Sequence, residues 1–212
     1  MQFKNFVFSP FQENTFVLYD QTSEAIVVDA GNFYPNEDEE LKKFIEGNQL
    51  NVVHVINTHN HLDHIFGLYN VVDTFKVPVA CHPDDAFWID KYVDVCQSYG
   101  LGNRKPAPKP TVSLNDGDVF KFGETQLEII HVPGHSAGCI ALYHHESANL
   151  FCGDILFNGS IGRTDLPTGN YEQLIEGIQS KLLVLPDETH VHCGHGPSTT
   201  IGREKQFNPY LR

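Results

Sequence analysis

The stretch THNHLDH, residues 58–64, gathers four metal-grade side chains, His59, His61, Asp63 and His64. On an α-helix, His59 and His61 would lie about 200° apart at 3.6 residues per turn, too far round to share an ion. On a strand, His59, His61 and Asp63 would share a face while His64 pointed away. Neither regular structure converges all four. A loop leaving the apolar run Val52–Ile56 does, and loops held by rigid strands are where functional groups concentrate. The expected arrangement gives His59 and His61 to one ion and Asp63 and His64 to a neighbour.

Each ion needs further ligands, because catalytic zinc takes about three protein ligands and keeps one position open. Three candidates follow apolar strands elsewhere. His135 lies in IIHVPGHSAG (129–138), where Gly134 lets the backbone turn beside it. Asp154 lies in LFCGDILF (150–157), a carboxylate at a strand end able to bridge two cations. His195 lies in VHCGHGP (191–197) between two glycines. Of the other histidines, His54 reads as a strand residue, and His131 and His192 as candidates to support ligands from neighbouring strands. His82, His144, His145 and His190 carry no functional signal.

Around these motifs the chain is acidic, with a net charge of −13 that disfavours nucleic acid, whose binders carry a basic stripe. Its 212 residues suit one domain, burying roughly 70% of the surface that the unfolded chain exposes. Five scattered cysteines without a C-x-x-C spacing argue against a disulfide framework and for a reducing, cytoplasmic setting. No apolar run approaches the ~20 residues of a membrane helix, and the N-terminus shows no signal-peptide core.

Strands are expected at Phe3–Phe8, Thr15–Tyr19, Ala25–Asp29, Val52–Ile56, Val79–Cys81, Thr125–Ile130, Ile140–His144, Leu150–Cys152 and Thr189–His192. Several are continuous apolar runs, the mark of strands buried on both faces. Helices are expected at Asn36–Gly47, His64–Phe75, Asp84–Gln97, Tyr171–Leu183 and Thr200–Phe207, the last with Thr200 as N-cap. The pattern is a layered α/β architecture of packed sheets flanked by helices. The proline-rich, basic segment 97–111 (QSYGLGNRKPAPKPT) reads as an exposed linker, or as a flap that attracts anions to a site.

VVDAG (27–31), THNHLDH, PGHSAG (133–138), GDILF (153–157) and CGHGP (193–197) together resemble the metallo-β-lactamase fold over nearly the whole chain. GSIGRTDLP (159–167) and HGPSTTIGREKQFNPYL (195–211) look most like bacterial glyoxalase II-like (hydroxyacylglutathione hydrolase-like) enzymes. The resemblance implies an αββα sandwich with a binuclear site along the seam between two sheets. It implies His59, His61 and His135 on one metal, Asp63, His64 and His195 on the other, and Asp154 bridging both. It also places Asp29 near the metals, as a residue orienting a ligand through a hydrogen bond. Residues 1–212 are then a single such domain. Residues 196–212 are too few for the C-terminal helical domain with which eukaryotic-type glyoxalase II binds glutathione. The family's basic residue after the bridging aspartate falls on Arg163, but the aromatic group expected nearby is replaced by Asp165.

The implied cofactors are two divalent ions, zinc first, with iron or manganese as alternatives. Ions roughly 3.5–4 Å apart supply a hydroxide at neutral pH, held here between Asp63 and Asp154, and polarise a carbonyl. A thiolate, with a thiol pKa of about 8.5, leaves without strong acid assistance, so a thioester suits the site better than an amide. The expected reaction is hydrolysis of a small anionic thioester, S-lactoylglutathione or a related 2-hydroxyacyl thioester. Arg163 either clamps a substrate carboxylate or forms a turn salt bridge with Asp165. The alternatives are an iron-dependent persulfide dioxygenase of the same fold, using His59, His135 and Asp154, and a lactone or β-lactam hydrolase.

Overall fold

The computed structural model describes residues 1–212. Its first sheet runs β1 (Gln2–Phe8), β2 (Glu13–Tyr19), β3 (Glu24–Val28), β4 (Asn51–Ile56), β5 (Val79–Cys81) and β6 (Val112–Ser113), in that spatial order. β1 to β3 are antiparallel, and β3 to β6 parallel. The second sheet holds β7 (Val119–Phe122), β8 (Thr125–His131), β9 (Ile140–His144), β10 (Asn149–Gly153), β13 (His190–Cys193) and β14 (Thr199–Thr200), in the order β14-β13-β10-β9-β8-β7. A ribbon of β11 (Leu156–Phe157) and β12 (Ser160–Ile161) leaves its end. Helices α1 (Pro35–Gly47), α2 (Leu68–Phe75) and α3 (Ala86–Ser98) cover the first sheet; α4 (Tyr171–Gly177) and α5 (Ile201–Phe207) cover the second.

Alternation along single strands builds the four layers. In β3, Ala25 and Val27 pack toward the first helical layer while Ile26 and Val28 enter the core between the sheets. In β9, Ile140 and Leu142 join that central core while Ala141 and Tyr143 face the second helical layer. Both faces of such strands are apolar because both are covered, as the continuous runs predicted. The result is an αββα sandwich.

β8, β10 and β13 run in one direction, so their C-terminal ends emerge along one edge of the second sheet. The ends of β3 and β4 meet them from the first. Loops at the carboxyl ends of strands are where α/β folds place their sites. Here the seam is closed by backbone hydrogen bonds, Ile140 N–H to the Thr58 carbonyl (2.9 Å) and Asn14 N–H to that of Gly194 (2.7 Å).

Several expected boundaries move. The helix expected from His64 starts at Leu68 instead; Leu62–His64 is a 3-10 turn. The Gly67 N–H is drawn to the Ala30 carbonyl (2.8 Å), which bends the chain before the helix can begin. Asp29 lies just past β3 with φ 54°, a left-handed conformation that Asp tolerates. α4 ends at Gly177 and widens into a π turn, Ile178–Leu182. Thr200 caps α5 as expected, its hydroxyl accepting from Arg203 N–H.

The segment 97–111 is largely exposed, as the linker reading expects, but its cations are engaged by neighbouring side chains and it is not a cationic flap. The Arg104 guanidinium lies 3.6 Å from the Phe33 ring centre, Lys105 sits over Tyr69, and Lys109 pairs with Asp90 at 3.0 Å. Ala107 is the segment's one buried residue. Its prolines keep it extended while its cations are spent on holding it down. All five cysteines are unpaired and buried, and no helix is long and apolar enough to cross a membrane.

Candidate metal centre

Seven side chains from four loops converge at the seam. His59, His61 and His135 form one group, and Asp63, His64 and His195 a second. Asp154 stands between them. Its Oδ1 is 3.4 Å from His64 Nε2, and its Oδ2 lies 3.5 Å from His135 Nε2 and 3.7 Å from His195 Nε2. The residues of both groups that the resemblance implies are thus brought together, and His59, His64 and Asp154 also lie within reach of one another.

The hydrogen bonds behind the rings identify what the cluster can hold. His135 Nδ1 faces the Arg163 carbonyl at 2.8 Å, an acceptor, so Nδ1 carries the proton. His195 Nδ1 faces the Phe11 carbonyl at 3.1 Å, and His64 Nδ1 faces Asp29 Oδ2 at 3.0 Å. The Thr58 hydroxyl donates to Asp29 Oδ2 (2.6 Å), which leaves its oxygen to accept from His59 Nδ1 at 3.2 Å. In His59 and His135 the outer nitrogen is thus the donor, and the inner one presents a bare lone pair; in His64 and His195 the inner nitrogen faces a carboxylate, Asp154 at 3.4 Å and Asp63 at 3.2 Å. Those lone pairs face one another: His59 Nε2 and His135 Nε2 are 3.2 Å apart, and His61 Nδ1 is 2.8 Å from His135 Nε2. His64 Nε2 and Asp154 Oδ1 are both buried without a partner. Acceptors crowded against acceptors repel unless a cation or a proton lies among them. The donor set of imidazoles and carboxylates therefore fits divalent metals.

Charge reinforces this. Burial and the neighbouring histidines hold the His59 pKa well below the ordinary value, and burial with His135 brings His61 down to about 3. Both stay neutral, as ligands must be. For Asp154, burial is outweighed by His64, His135 and His195, and its pKa falls well below the carboxylate range. Asp63 is lowered too, with His195 and His64 outweighing burial.

Glycines let the loops approach this closely. A Cβ on Gly194 would come within 2.2 Å of Asp154 Oδ1 and 2.8 Å of His64 Cε1. Gly153 has φ +50°, and a Cβ there would meet the Thr58 hydroxyl at 2.2 Å.

Asp29 binds both Thr58 and His64, as expected of an orienting residue. His131 and His192 do not support ligands. His131 Nε2 binds the Ala137 carbonyl and its ring stacks on His82 at 3.8 Å, while His192 bonds Ser198 and Asn149. Two supporting residues escaped the sequence reading. Asp85, fully buried, accepts from Asn60 N–H (2.5 Å), the Ser136 hydroxyl (2.6 Å) and Gly138 N–H (2.8 Å). It thereby ties the loop of His59 and His61 to the loop of His135. Glu13, also buried, lies 3.8 Å from His64 Nδ1. Burial pushes its pKa well up despite the opposing pull of His64.

A cavity of about 340 Å³ opens over the cluster, reaching His61, Asp63, His135 and Asp154. Phe11, Leu62, Trp88, Tyr99, Leu166 and Pro167 give it apolar walls. Arg163 is the only Lys or Arg on its lining, and its guanidinium makes a bidentate pair with Asp165, both bonds 2.7 Å. The turn salt bridge is thus formed, on a residue that also borders the cavity.

The family model described as the metallo-beta-lactamase superfamily matches residues 9–195. The chain is 37% identical over 202 residues to a Haemophilus influenzae protein named hydroxyacylglutathione hydrolase GloC, covering 95% of this chain and 92% of that one. The structure of BLEG-1 B3 metallo-beta-lactamase superposes with a TM-score of 0.90 at 36% identity, covering 99% of both chains. That of TTHA1623 in a di-iron-bound form gives 0.88 at 34%, covering 98% of this chain and 100% of the other. The chain belongs to the metallo-β-lactamase superfamily and is a metallo-hydrolase by family.

Proposed function

Starting from that membership, we propose that the protein is a glyoxalase II-like thioester hydrolase acting on S-lactoylglutathione or a related 2-hydroxyacyl thioester. In this reading His59, His61 and His135 hold one divalent ion, Asp63, His64 and His195 a second, and Asp154 both. Zinc is the first expectation; the similarity to a di-iron protein keeps iron as the alternative. Bound there, such ions supply a nucleophilic oxygen at neutral pH and polarise the scissile carbonyl.

The chain's own residues support a thioester. The carboxylates that line the cavity are Asp63 and Asp154, both held ionised. Neither can protonate an amine as it departs, whereas a thiolate leaves unaided. Phe11, Trp88 and Tyr99 offer apolar contact to the flanks of a bound acyl chain. Arg163 is the one residue placed to attract an anionic group of the substrate. The observation that carries the reading is the paired ligand groups sharing Asp154 beneath an apolar-walled cavity whose carboxylates are both ionised; the similarity to the protein named GloC points the same way.

Metal analysis of the purified protein, beside its turnover of S-lactoylglutathione and its oxygen uptake on glutathione persulfide, tests this. The expected result is two ions per chain and thioester hydrolysis without oxygen uptake. One iron per chain with oxygen consumption would favour the dioxygenase instead.

A further inference from the structure

Four of the five ligand histidines have a polar partner at the outer ring nitrogen. The Thr58 hydroxyl stands behind His59, Asp29 behind His64, the Arg163 carbonyl behind His135 and the Phe11 carbonyl behind His195. His61 is the exception. Its Nδ1 turns inward, 2.8 Å from His135 Nε2, so the proton falls on Nε2, which is buried without a hydrogen-bond partner. A buried N–H without an acceptor is costly, and no polar group fixes the tilt of the ring.

Trp88 lies against this ring. The two ring centres are 4.5 Å apart with planes at 85°, the arrangement in which the edge of one ring meets the face of the other. The other rings against His61 are those of its fellow ligands His59 and His135. An aromatic face is electron-rich and accepts an N–H weakly. We propose that Trp88 is a positioning residue of the metal centre: its indole face takes the His61 Nε2–H and fixes the ring that offers Nδ1 to the ion.

Trp88 is itself pinned. It is buried, and its Nε1–H donates to the Thr168 hydroxyl at 3.3 Å. The same oxygen accepts from Ala137 N–H at 3.4 Å, in the loop of His135. Thr168 has φ 70°, a left-handed conformation that a β-branched residue rarely enters, so its surroundings hold it there against its own preference. Glycine accepts that backbone freely but brings no hydroxyl.

The inference rests on the ion assigned to His59, His61 and His135, and not on the thioester. Zinc-loaded wild type and variants are dialysed against a graded chelator, and the ions retained per chain are counted. Trp88→Phe keeps an aromatic face, whereas Trp88→Leu replaces it with apolar bulk. In Trp88→Leu one of the two ions is expected to leave at about threefold to fivefold lower chelator strength, the worth of a weak N–H contact to a ring face. The other ion holds, and Trp88→Phe stays within about twofold of the wild type. Trp88 is the chain's single tryptophan, so its emission reports its setting without turnover. Thr168→Gly should shift that emission in metal-free protein and loosen the same ion, while Thr168→Ser, which keeps the hydroxyl, should do neither. The inference is overturned if Trp88→Leu holds both ions as firmly as the wild type, if both loosen alike, or if Trp88→Phe loosens one as much as Trp88→Leu. Should Trp88→Leu fail to fold, Thr168→Gly decides, and unchanged emission and retention reject the inference. A wild type that binds no divalent ion sinks the metal assignment and the inference together, whereas two firmly held ions without thioester turnover reject only the substrate.

Discussion

The two halves of the ligand cluster are supported by different means. His59 and His135 lean on neutral acceptors, the Thr58 hydroxyl and the Arg163 carbonyl, and their loops are cross-tied from behind by Asp85. His64 instead leans directly on the carboxylate of Asp29, which reaches His59 only through Thr58, with Glu13 beside it. Exposure differs too: His59 is fully buried, whereas the His195 side chain is 26% exposed and Asp63 14%. The first half is rigid through its loops, and the second is anchored through charge and open to solvent. A buried carboxylate behind an imidazole raises its basicity and so its grip on a cation. The second half compensates electrostatically for what it lacks in enclosure.

The largest expected effect comes from the residue that both halves share. Asp154→Ala should lower thioester turnover by about 10³-fold, since charge stabilisation at such sites is worth several kcal/mol. A loss below tenfold would mean that the halves work independently. Asp85→Ala strands two buried N–H groups and a hydroxyl, and should cost about 3 kcal/mol, lowering Tm by about 6–12 °C. Calorimetry checks this, and metal should be lost from the His59, His61, His135 group first. Asp29→Asn keeps the shape and tolerates the left-handed φ, yet removes the charge behind His64. Metal affinity of the second half should fall about 10–100-fold, measured as ions retained per chain after dialysis against a graded chelator. Equal loss from both halves would erase the contrast.

The smallest effect lies at the far end of the seam, where Asp20 binds Thr22, Glu124 N–H and Thr125 and joins β2 to the β7–β8 hairpin. Burial alone would raise its pKa, but these hydrogen bonds outweigh it and bring it down to about 2. Its folded pKa lies below the unfolded value, so its contribution is complete above about pH 4 and vanishes as pH falls through about 2. Asp20→Asn should therefore cost about 1 kcal/mol at pH 7 without changing the order in which metal leaves. Urea denaturation at pH 7 and pH 2 checks both, the variant converging on the wild type in acid.

Much of this was legible before the coordinates. The crowding in THNHLDH excluded helix and strand, and the partners His135, Asp154 and His195 declared themselves by following apolar runs. The core strands were readable because burial on both faces makes them uniformly apolar. Strands β6, β11, β12 and β14 were not, since two residues carry no period. β7 carries one: VFKF alternates, with Phe120 and Phe122 buried. Asp85 gave no local sign, standing beside the chemically identical Asp84, which is exposed; only the third dimension separates them. Glu13 likewise reads as an ordinary acid opening a strand, and its position behind His64 is set by the crossing of distant segments.

That crossing has a consequence for folding. Glu13 pairs with His195 in an isolated bridge, and the Asn14 side chain reaches the Cys193 carbonyl 179 residues away. A cation seized by Asp63, His64 and His195 would fasten the last strands of the chain to the first, closing a loop whose entropic cost no local contact can repay early. Loading of that half would then need both ends of the chain in place, and the ion would act as a clasp whose affinity is drawn from the folding free energy of the whole chain.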